Sequence, residues 1–101
     1  VIKIELTRLN PVDGSIPNDT VAQFGIALKT IDNCLRHAGG LPNQIIKVQV
    51  FMTDIKEREL INPARIEYFG DNRPASTLVE VSALVDPRMK VEIEAVAYLN
   101  A

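Results

Sequence analysis

Apolar and polar residues alternate along four segments of the chain, and this period of two residues is typical of β-strands with one buried face. The segments span residues 1–9, 45–53, 74–81 and 91–97. Only a short loop separates the last two, so the pattern predicts that they pair as an antiparallel hairpin. In the second segment the predicted buried face consists of Ile46, Val48, Val50 and Met52.

A long amphipathic helix is predicted after the first strand. It begins at Asn18 or Asp19, which are good N-cap residues, and runs to about Ala38. Gly39 and Gly40 then end it in the manner of a C-cap. Steps of three and four positions place one apolar stripe against a sheet. That stripe consists of Val21, Phe24, Leu28, Ile31 and Leu35.

A second helix is predicted over about residues 57–69, with an irregular start caused by Pro63. Proline removes a backbone donor and crowds the preceding turn, so it is tolerated best in the first turn of a helix. Either Asn62 caps a short helix that begins at Pro63, or the proline lies in the first turn of a slightly longer helix. Both alternatives are compatible with the sequence.

These elements follow the order β-α-β-α-β-β, with no repeat, low-complexity segment or linker. A chain of 101 residues with 47% hydrophobic content can build one small core, so we expect a single domain over residues 1–101. The order predicts an α+β fold in which one mixed sheet carries two helices on one face. The opposite face is too apolar for a fully solvated surface and indicates self-association. Its predicted apolar residues are Ile45, Phe51, Leu78, Val96 and Tyr98.

Charge and composition narrow the choice of partners. The net charge of -2 disfavours binding to nucleic acid through the phosphates. The single cysteine, Cys34, excludes an internal disulfide and favours the cytoplasm. No apolar run approaches the roughly 20 residues that cross a bilayer, so no membrane partner is expected. No motif indicates a metal ion or another cofactor.

Several features occur in an order that resembles the Rid family, also called YjgF or L-PSP proteins. They are residues 50–54 (Val-Phe-Met-Thr-Asp), Asn62, residues 67–70 (Glu-Tyr-Phe-Gly), residues 74–81 and residues 91–97. The resemblance implies a chorismate-mutase-like α+β fold assembled as a homotrimer, with small-molecule clefts between subunits. It also implies an additional N-terminal segment, which we expect residues 1–101 to lack.

The resemblance implies a reaction, but this chain departs from the family at two positions, one of which is Glu5, where the family has a first-strand glycine. Active Rid enzymes hydrolyse an imine or enamine to a ketone and ammonia. Their segment matching residues 74–77 reads Pro-Ala-Arg-Ser, and its arginine binds the substrate carboxylate. Here that position is Ser76. A serine hydroxyl offers one neutral donor, whereas a guanidinium offers a charged fork that fits a carboxylate.

Four residues are expected to bind a ligand. Ser76 and Thr77 match the wall of the family's cleft, although both are also ordinary hydroxyl residues at the start of a strand. Asn62 matches a polar residue near that site, but Asn-Pro is itself a signal for the start of a helix. Arg73 can reach the cleft by a different path, as can Arg88; the alternative is that each is a solvated loop residue.

Glu92 is the one residue expected to be catalytic. It matches the family's acidic residue, which positions or activates the attacking water. A carboxylate can act as a general base only within hydrogen-bond reach of that water. The alternative is a structural glutamate that pairs across the sheet with Lys47 or another cation.

Two functional hypotheses remain. The first is an imine or enamine deaminase that works without the usual arginine. The second is a non-catalytic homotrimer that binds a small metabolite or a protein partner in the same clefts. An endoribonuclease, as some relatives are described, is disfavoured by the acidic charge and by a single histidine, His37.

Overall fold

The structure, a computed structural model, describes the backbone of residues 2–7 and describes residues 16–99 in full. These segments contain β1 (Ile2–Thr7), α1 (Thr20–His37), β2 (Ile45–Met52), α2 (Asn62–Phe69), β3 (Ala75–Glu80) and β4 (Val91–Ala97). The predicted order of elements is therefore confirmed. The turn predicted over residues 10–15 lies outside the described residues.

The four strands form one mixed sheet in the order β1-β4-β2-β3. β4 runs antiparallel to both of its neighbours, β1 and β2, while β2 and β3 are parallel. The predicted hairpin of β3 with β4 is wrong, because β2 lies between them. Parallel strands need a crossover connection, which α2 supplies between β2 and β3. The loop of residues 81–90 then carries the chain past β2 to β4.

One face of the sheet is covered by the two helices, as predicted, and the core lies between these layers. The apolar stripe of α1 is buried except for Val21, which is 37% exposed. Burial of every second residue of β4 matches its alternation. The core residues contributed by β2 and β4 are Ile45, Val48, Val50, Met52, Val91, Ile93, Ala95 and Ala97.

Both predicted ends of α1 are confirmed by hydrogen bonds. The Asp19 carboxylate caps the helix by accepting bonds from two first-turn amides at 3.3 and 3.4 Å. At the other end Gly39 has φ 86°, a left-handed conformation that glycine adopts without strain. The Gly40 N–H donates to the Leu35 carbonyl at 2.8 Å, and this pattern is a Schellman motif.

A bulge at the start of β2 changes which residues face the core. The register with β4 shifts between Ile45 and Lys47, and such an extra residue interrupts the alternation of side chains. Ile46 is consequently 52% exposed, whereas Ile45 is only 4% exposed, so the predicted faces of both are wrong. Leu78 was also expected on the opposite face, but it pairs with Val50 and packs against the core.

The second helical region consists of two parts. A 3-10 helix, Ile55–Ile61, is capped by the Asp54 carboxylate and leads directly into α2. Pro63 lies in the first turn of α2, which is the second of the two alternatives above. The Asn62 side chain does not cap this helix.

Candidate functional site

A pocket of about 240 Å³ lies between α2 and β3 and contains three of the four predicted ligand residues. Asn62, Arg73 and Ser76, although up to 14 positions apart, all line it. The remaining lining residues are Val48, Arg65, Ile66, Phe69, Gly70 and Pro74. We call it the α2–β3 pocket.

The course of the chain explains why these residues meet. Asn62 and Arg65 are three positions apart on α2, so they lie on one side of the helix. Gly70, with φ 56°, ends α2 and lets the chain turn back towards the sheet. The following loop brings Arg73 alongside Ser76, the second residue of β3, which is paired with Val48 of β2.

Arg65 is a pocket residue that the sequence analysis did not identify. Its guanidinium Nη2 donates a 2.8 Å hydrogen bond to the Asn62 side-chain oxygen. This bond gives Asn62 a defined partner within the pocket and orients the guanidinium. The spacing of three between an amide and an arginine on a predicted helix is the signal that points to this pair.

Apolar side chains form the floor of the α2–β3 pocket. Val48 and Phe69 are both buried, and Ile66 stands half-exposed among the lining residues. Pockets that combine apolar walls with a few polar groups are typical of small-molecule sites. The arrangement can therefore hold a small molecule with an apolar part against Phe69 and a polar part near Asn62, Arg65 and Ser76.

Thr77, the fourth predicted ligand residue, does not line this pocket. Successive residues of a strand point to opposite faces of a sheet. Thr77 is paired with Gln49 and therefore lies on the side away from the helices. We call this side the open face. Its residues from β2, β3 and β4 include Lys47, Gln49, Phe51, Ala75, Thr77, Val79, Glu92, Glu94 and Val96.

Glu92 is half-buried on the open face and belongs to β4, one of the two inner strands of the sheet. It is paired with Phe51 of β2 on one side and with Thr7 of β1 on the other. Lys47, the cation suggested as its cross-strand partner, is instead paired with Val96, four residues further along β4. Within one chain, Glu92 and the α2–β3 pocket are therefore on opposite sides of the sheet.

The Arg88 side chain forms its hydrogen bonds within its own loop in the described part of the chain. Its Nε and Nη2 donate to the two Asp86 oxygens at 3.1 and 2.8 Å, and its backbone N–H donates to Oδ1 at 2.9 Å. The side-chain bonds, followed by the backbone bond, lower the pKa of Asp86 to about 2. Arg88 does not line the α2–β3 pocket, so Arg73 is the one of the two candidate arginines found there.

A hydrogen-bond network joins the two helices on their outer side. The Tyr68 hydroxyl donates to Asp32 Oδ1 at 2.9 Å, and Arg36 Nε donates to Oδ2 at 2.8 Å. Burial first, and then the bond to Asp32, raise the pKa of Tyr68 above its ordinary value. This network holds α2 against α1 and thereby positions one wall of the α2–β3 pocket.

The described part of the chain contains neither a cluster of metal-ligating side chains nor a membrane-spanning helix. Across residues 16–99, no three side chains of the ligating types come together in a way that suits a metal ion. Neither of the α-helices found there has the length and apolar character needed to cross a membrane.

Two helices packed on one face of a mixed four-stranded sheet, with a pocket between α2 and β3, define the structural class. The sequence profile of the family described as Endoribonuclease L-PSP matches residues 7–99. The chain therefore belongs to the L-PSP family, also called the Rid or YjgF family, and the resemblance stated above is confirmed.

Individual relatives agree with this assignment. A RutC family protein of Buchnera aphidicola is 37% identical over 93 residues, covering 89% of this chain and 72% of the relative. The 2-iminobutanoate/2-iminopropanoate deaminase of Escherichia coli is 32% identical over 92 residues, covering 88% and 71%. The Rid-family protein YyfA from Yersinia pestis, whose crystal structure is known, is 35% identical in sequence to this chain. It superposes with a TM-score of 0.89 and covers 95% of this chain and 77% of that chain.

Proposed function

We propose that this protein is a Rid-type deaminase that hydrolyses a small imine or enamine to a ketone and ammonia. The convergence of Asn62, Arg73 and Ser76 in the α2–β3 pocket carries this proposal. It gives the chain a small-molecule site at the positions that match the family's cleft. The name of the Escherichia coli relative, an imine deaminase, supports the reaction class.

We infer further that the working form is a homotrimer with clefts between subunits. The open face contains half-buried Phe51 and Val96 and exposed Val79, which a second subunit would cover. Val96→Lys places a charge in this surface, so it should shift the protein to the monomer in sedimentation equilibrium. Asn33→Lys, on the exposed side of α1, is the control and should leave the assembly unchanged.

In the proposed reaction, water adds to the carbon of the C=N bond and ammonia leaves. Glu92 accepts a proton from the attacking water and passes it to the nitrogen, which gives a carbinolamine. It then accepts the hydroxyl proton of the carbinolamine and passes it to the nitrogen, so that the C=O bond forms, the C–N bond breaks and the carboxylate is regenerated. Because Glu92 lies on the open face, it acts on a ligand in the α2–β3 pocket of a neighbouring subunit. Ser76 donates a hydrogen bond to an oxygen of that ligand.

Ammonia release tests the reaction. The substrates are 2-iminopropanoate and 2-iminobutanoate, generated in situ, and the native chain is compared with Ser76→Arg. Release by the native chain above the buffer rate supports the proposal. If only Ser76→Arg is active, the water-activating group is functional and the natural ligand is a different molecule. If neither releases ammonia, the deaminase proposal is rejected.

The second candidate is a non-catalytic protein that binds a small metabolite or a protein partner in the same clefts. The observation that favours it is that Ser76 lines the pocket, at a position where the family resemblance implies an arginine. Loss of a charge-paired arginine removes roughly 2–5 kcal/mol of binding, enough to abolish turnover of the usual substrates. In both candidates the protein acts in the cytoplasm and without nucleic acid, as its charge and single cysteine suggest.

A further inference from the structure

The α2–β3 pocket has a strongly positive lining. Two of its residues, Arg65 and Arg73, carry guanidinium groups, and none of its nine lining residues is an aspartate or glutamate. In the described part of the chain, neither arginine forms an ion pair. The pocket therefore presents positive charge that the fold itself does not neutralise, and such charge attracts an anion.

Arg65 is the better oriented of these two arginines. It extends from a helix rather than from a loop, and its Nη2 is fixed by the 2.8 Å bond to the Asn62 oxygen. Asn62 is a neutral acceptor, so this bond positions the guanidinium without cancelling its charge. A guanidinium has five N–H donors, and one bond leaves the others to bind a ligand. Arg73 is exposed, and no hydrogen bond from another described residue orients its side chain, so its position is less constrained.

The small side chain of Ser76 complements this arrangement. It stands beside Val48 and leaves space on the β3 side of the pocket that a longer residue would fill. The buried Val48 and Phe69 give the pocket an apolar wall, and charge interactions are stronger beside apolar surface from which water is excluded. A ligand with a short apolar body can therefore lie against Phe69 while its charged end meets α2.

We propose that Arg65 is the specificity-determining residue of this pocket and binds the anionic group of the ligand. Ser76 contributes a neutral hydrogen bond, and Arg73 adds a second positive charge from the loop before β3. The ligand class is a small oxyanion, a carboxylate or a phosphate ester, with an apolar body of a few carbons. This inference rests on the proposed pocket as the ligand site, but it does not depend on catalysis.

Binding measured by nuclear magnetic resonance tests the inference independently of turnover. The native chain is titrated at low ionic strength with 2-oxobutyrate, with inorganic phosphate and with butanone, which lacks the charged group. Arg65→Met removes the charge with little change in length. Arg58→Met is the matched control, because Arg58 lies outside the pocket and donates a hydrogen bond to the Ile55 carbonyl of its own turn.

We expect Arg65→Met to weaken binding of the anionic probe by about tenfold or more, since hydrogen bonds to charged groups are the strong ones. Arg58→Met should bind like the native chain, and Arg65→Lys should recover part of the affinity. If phosphate rather than 2-oxobutyrate shows this dependence on Arg65, the oxyanion is a phosphate and the role of Arg65 stands.

Three results would overturn the inference. They are equal anion affinity in native and Arg65→Met protein, equal loss in Arg58→Met, and native protein that binds no anionic probe. Thermal unfolding of each variant shows whether it is folded. If Arg65→Met is unfolded, Arg65→Lys takes its place in the test. Ammonia release by a protein that fails this test would leave the deaminase proposal intact.

Discussion

Ser76 and Glu92 lie on opposite faces of the same sheet. Ser76 is paired with Val48, which is buried beneath the helices, whereas Glu92 is paired with Phe51 on the open face. Adjacent residues of β2 alternate between these faces, so the two side chains cannot reach one small ligand within a single chain. A site that uses both must take them from different subunits.

Subunit mixing tests this consequence. Ser76→Phe fills the α2–β3 pocket but keeps Glu92, whereas Glu92→Ala removes the carboxylate but leaves the pocket open. Each variant alone should therefore be inactive. In a cyclic trimer refolded from an equal mixture, roughly a quarter of the clefts combine an intact Ser76 with an intact Glu92. Ammonia release should therefore recover to about that fraction of the native rate. A mixture as inactive as its two parents would contradict a shared cleft.

Gln23 on α1 anchors the loop before β4. It is 2% exposed, and its amide donates to the carbonyls of Pro17 and Arg88 at 2.7 and 2.9 Å. Its oxygen accepts from the Lys90 N–H at 2.7 Å. Gln23→Leu leaves these backbone groups without partners and should lower the free energy of unfolding by about 2–4 kcal/mol.

Denaturant unfolding monitored by circular dichroism measures this loss. Gln44→Leu is the matched control, because Gln44 accepts one exposed hydrogen bond from Leu41, and it should cost less than about 1 kcal/mol. Equal effects of the two substitutions would show that Gln23 does not anchor the loop.

Two glycines of the α1 region should respond in opposite ways to alanine. A methyl group on Gly40 would lie 2.6 Å from both Leu35 Cδ1 and Leu99 Cδ2, so Gly40→Ala should destabilise the protein by about 1–3 kcal/mol. Gly25 lies within α1, and its added methyl would meet nothing within 4 Å. Gly25→Ala should stabilise by about 0.5–1 kcal/mol. Thermal unfolding distinguishes these outcomes, and a stabilised Gly40→Ala protein would refute the packing described here.

The hydrogen bond from Tyr68 to Asp32 predicts that the stability of the protein falls at alkaline pH. The pKa of Tyr68 is raised in the folded state, so folding favours the neutral phenol. Its contribution to stability is fully present below the unfolded pKa of about 10 and is lost as pH rises through the higher folded value. Tyr68→Phe should cost about 1 kcal/mol at neutral pH and reduce the fall in stability above pH 10.

Urea unfolding at a series of pH values measures this effect. Tyr98→Phe is the control, because Tyr98 is an exposed tyrosine outside the network. The role of Tyr68 would be refuted if Tyr68→Phe followed the native pH profile above pH 10.

Local patterns were sufficient to predict the elements of this fold. The period of two residues located β4, and the spacing of apolar residues with Asp19 and Gly39 located α1. The pairing of the strands could not be predicted in this way, because alternation in β3 indicates a buried face but does not identify the neighbouring strand. The bulge that exchanges Ile45 and Ile46 was likewise invisible, since it depends on the register between β2 and β4.

The site was predicted only in part for the same reason. The family resemblance pointed to Asn62 and Ser76, and closeness in sequence to Ser76 pointed to Arg73; these residues meet in one pocket. Arg65 was missed because its role depends on the side of α2 that faces β3. The separation of Ser76 from Glu92 depends on strand register, which the sequence pattern does not specify.

A crystal structure of the native protein with 2-oxobutyrate tests the central claim most directly, namely that the α2–β3 pocket is the ligand site. We predict density for the probe in this pocket, with its carboxylate against Arg65 and its carbon chain against Phe69. An empty pocket at a saturating concentration, or density confined to the open face away from Ser76, would contradict the account.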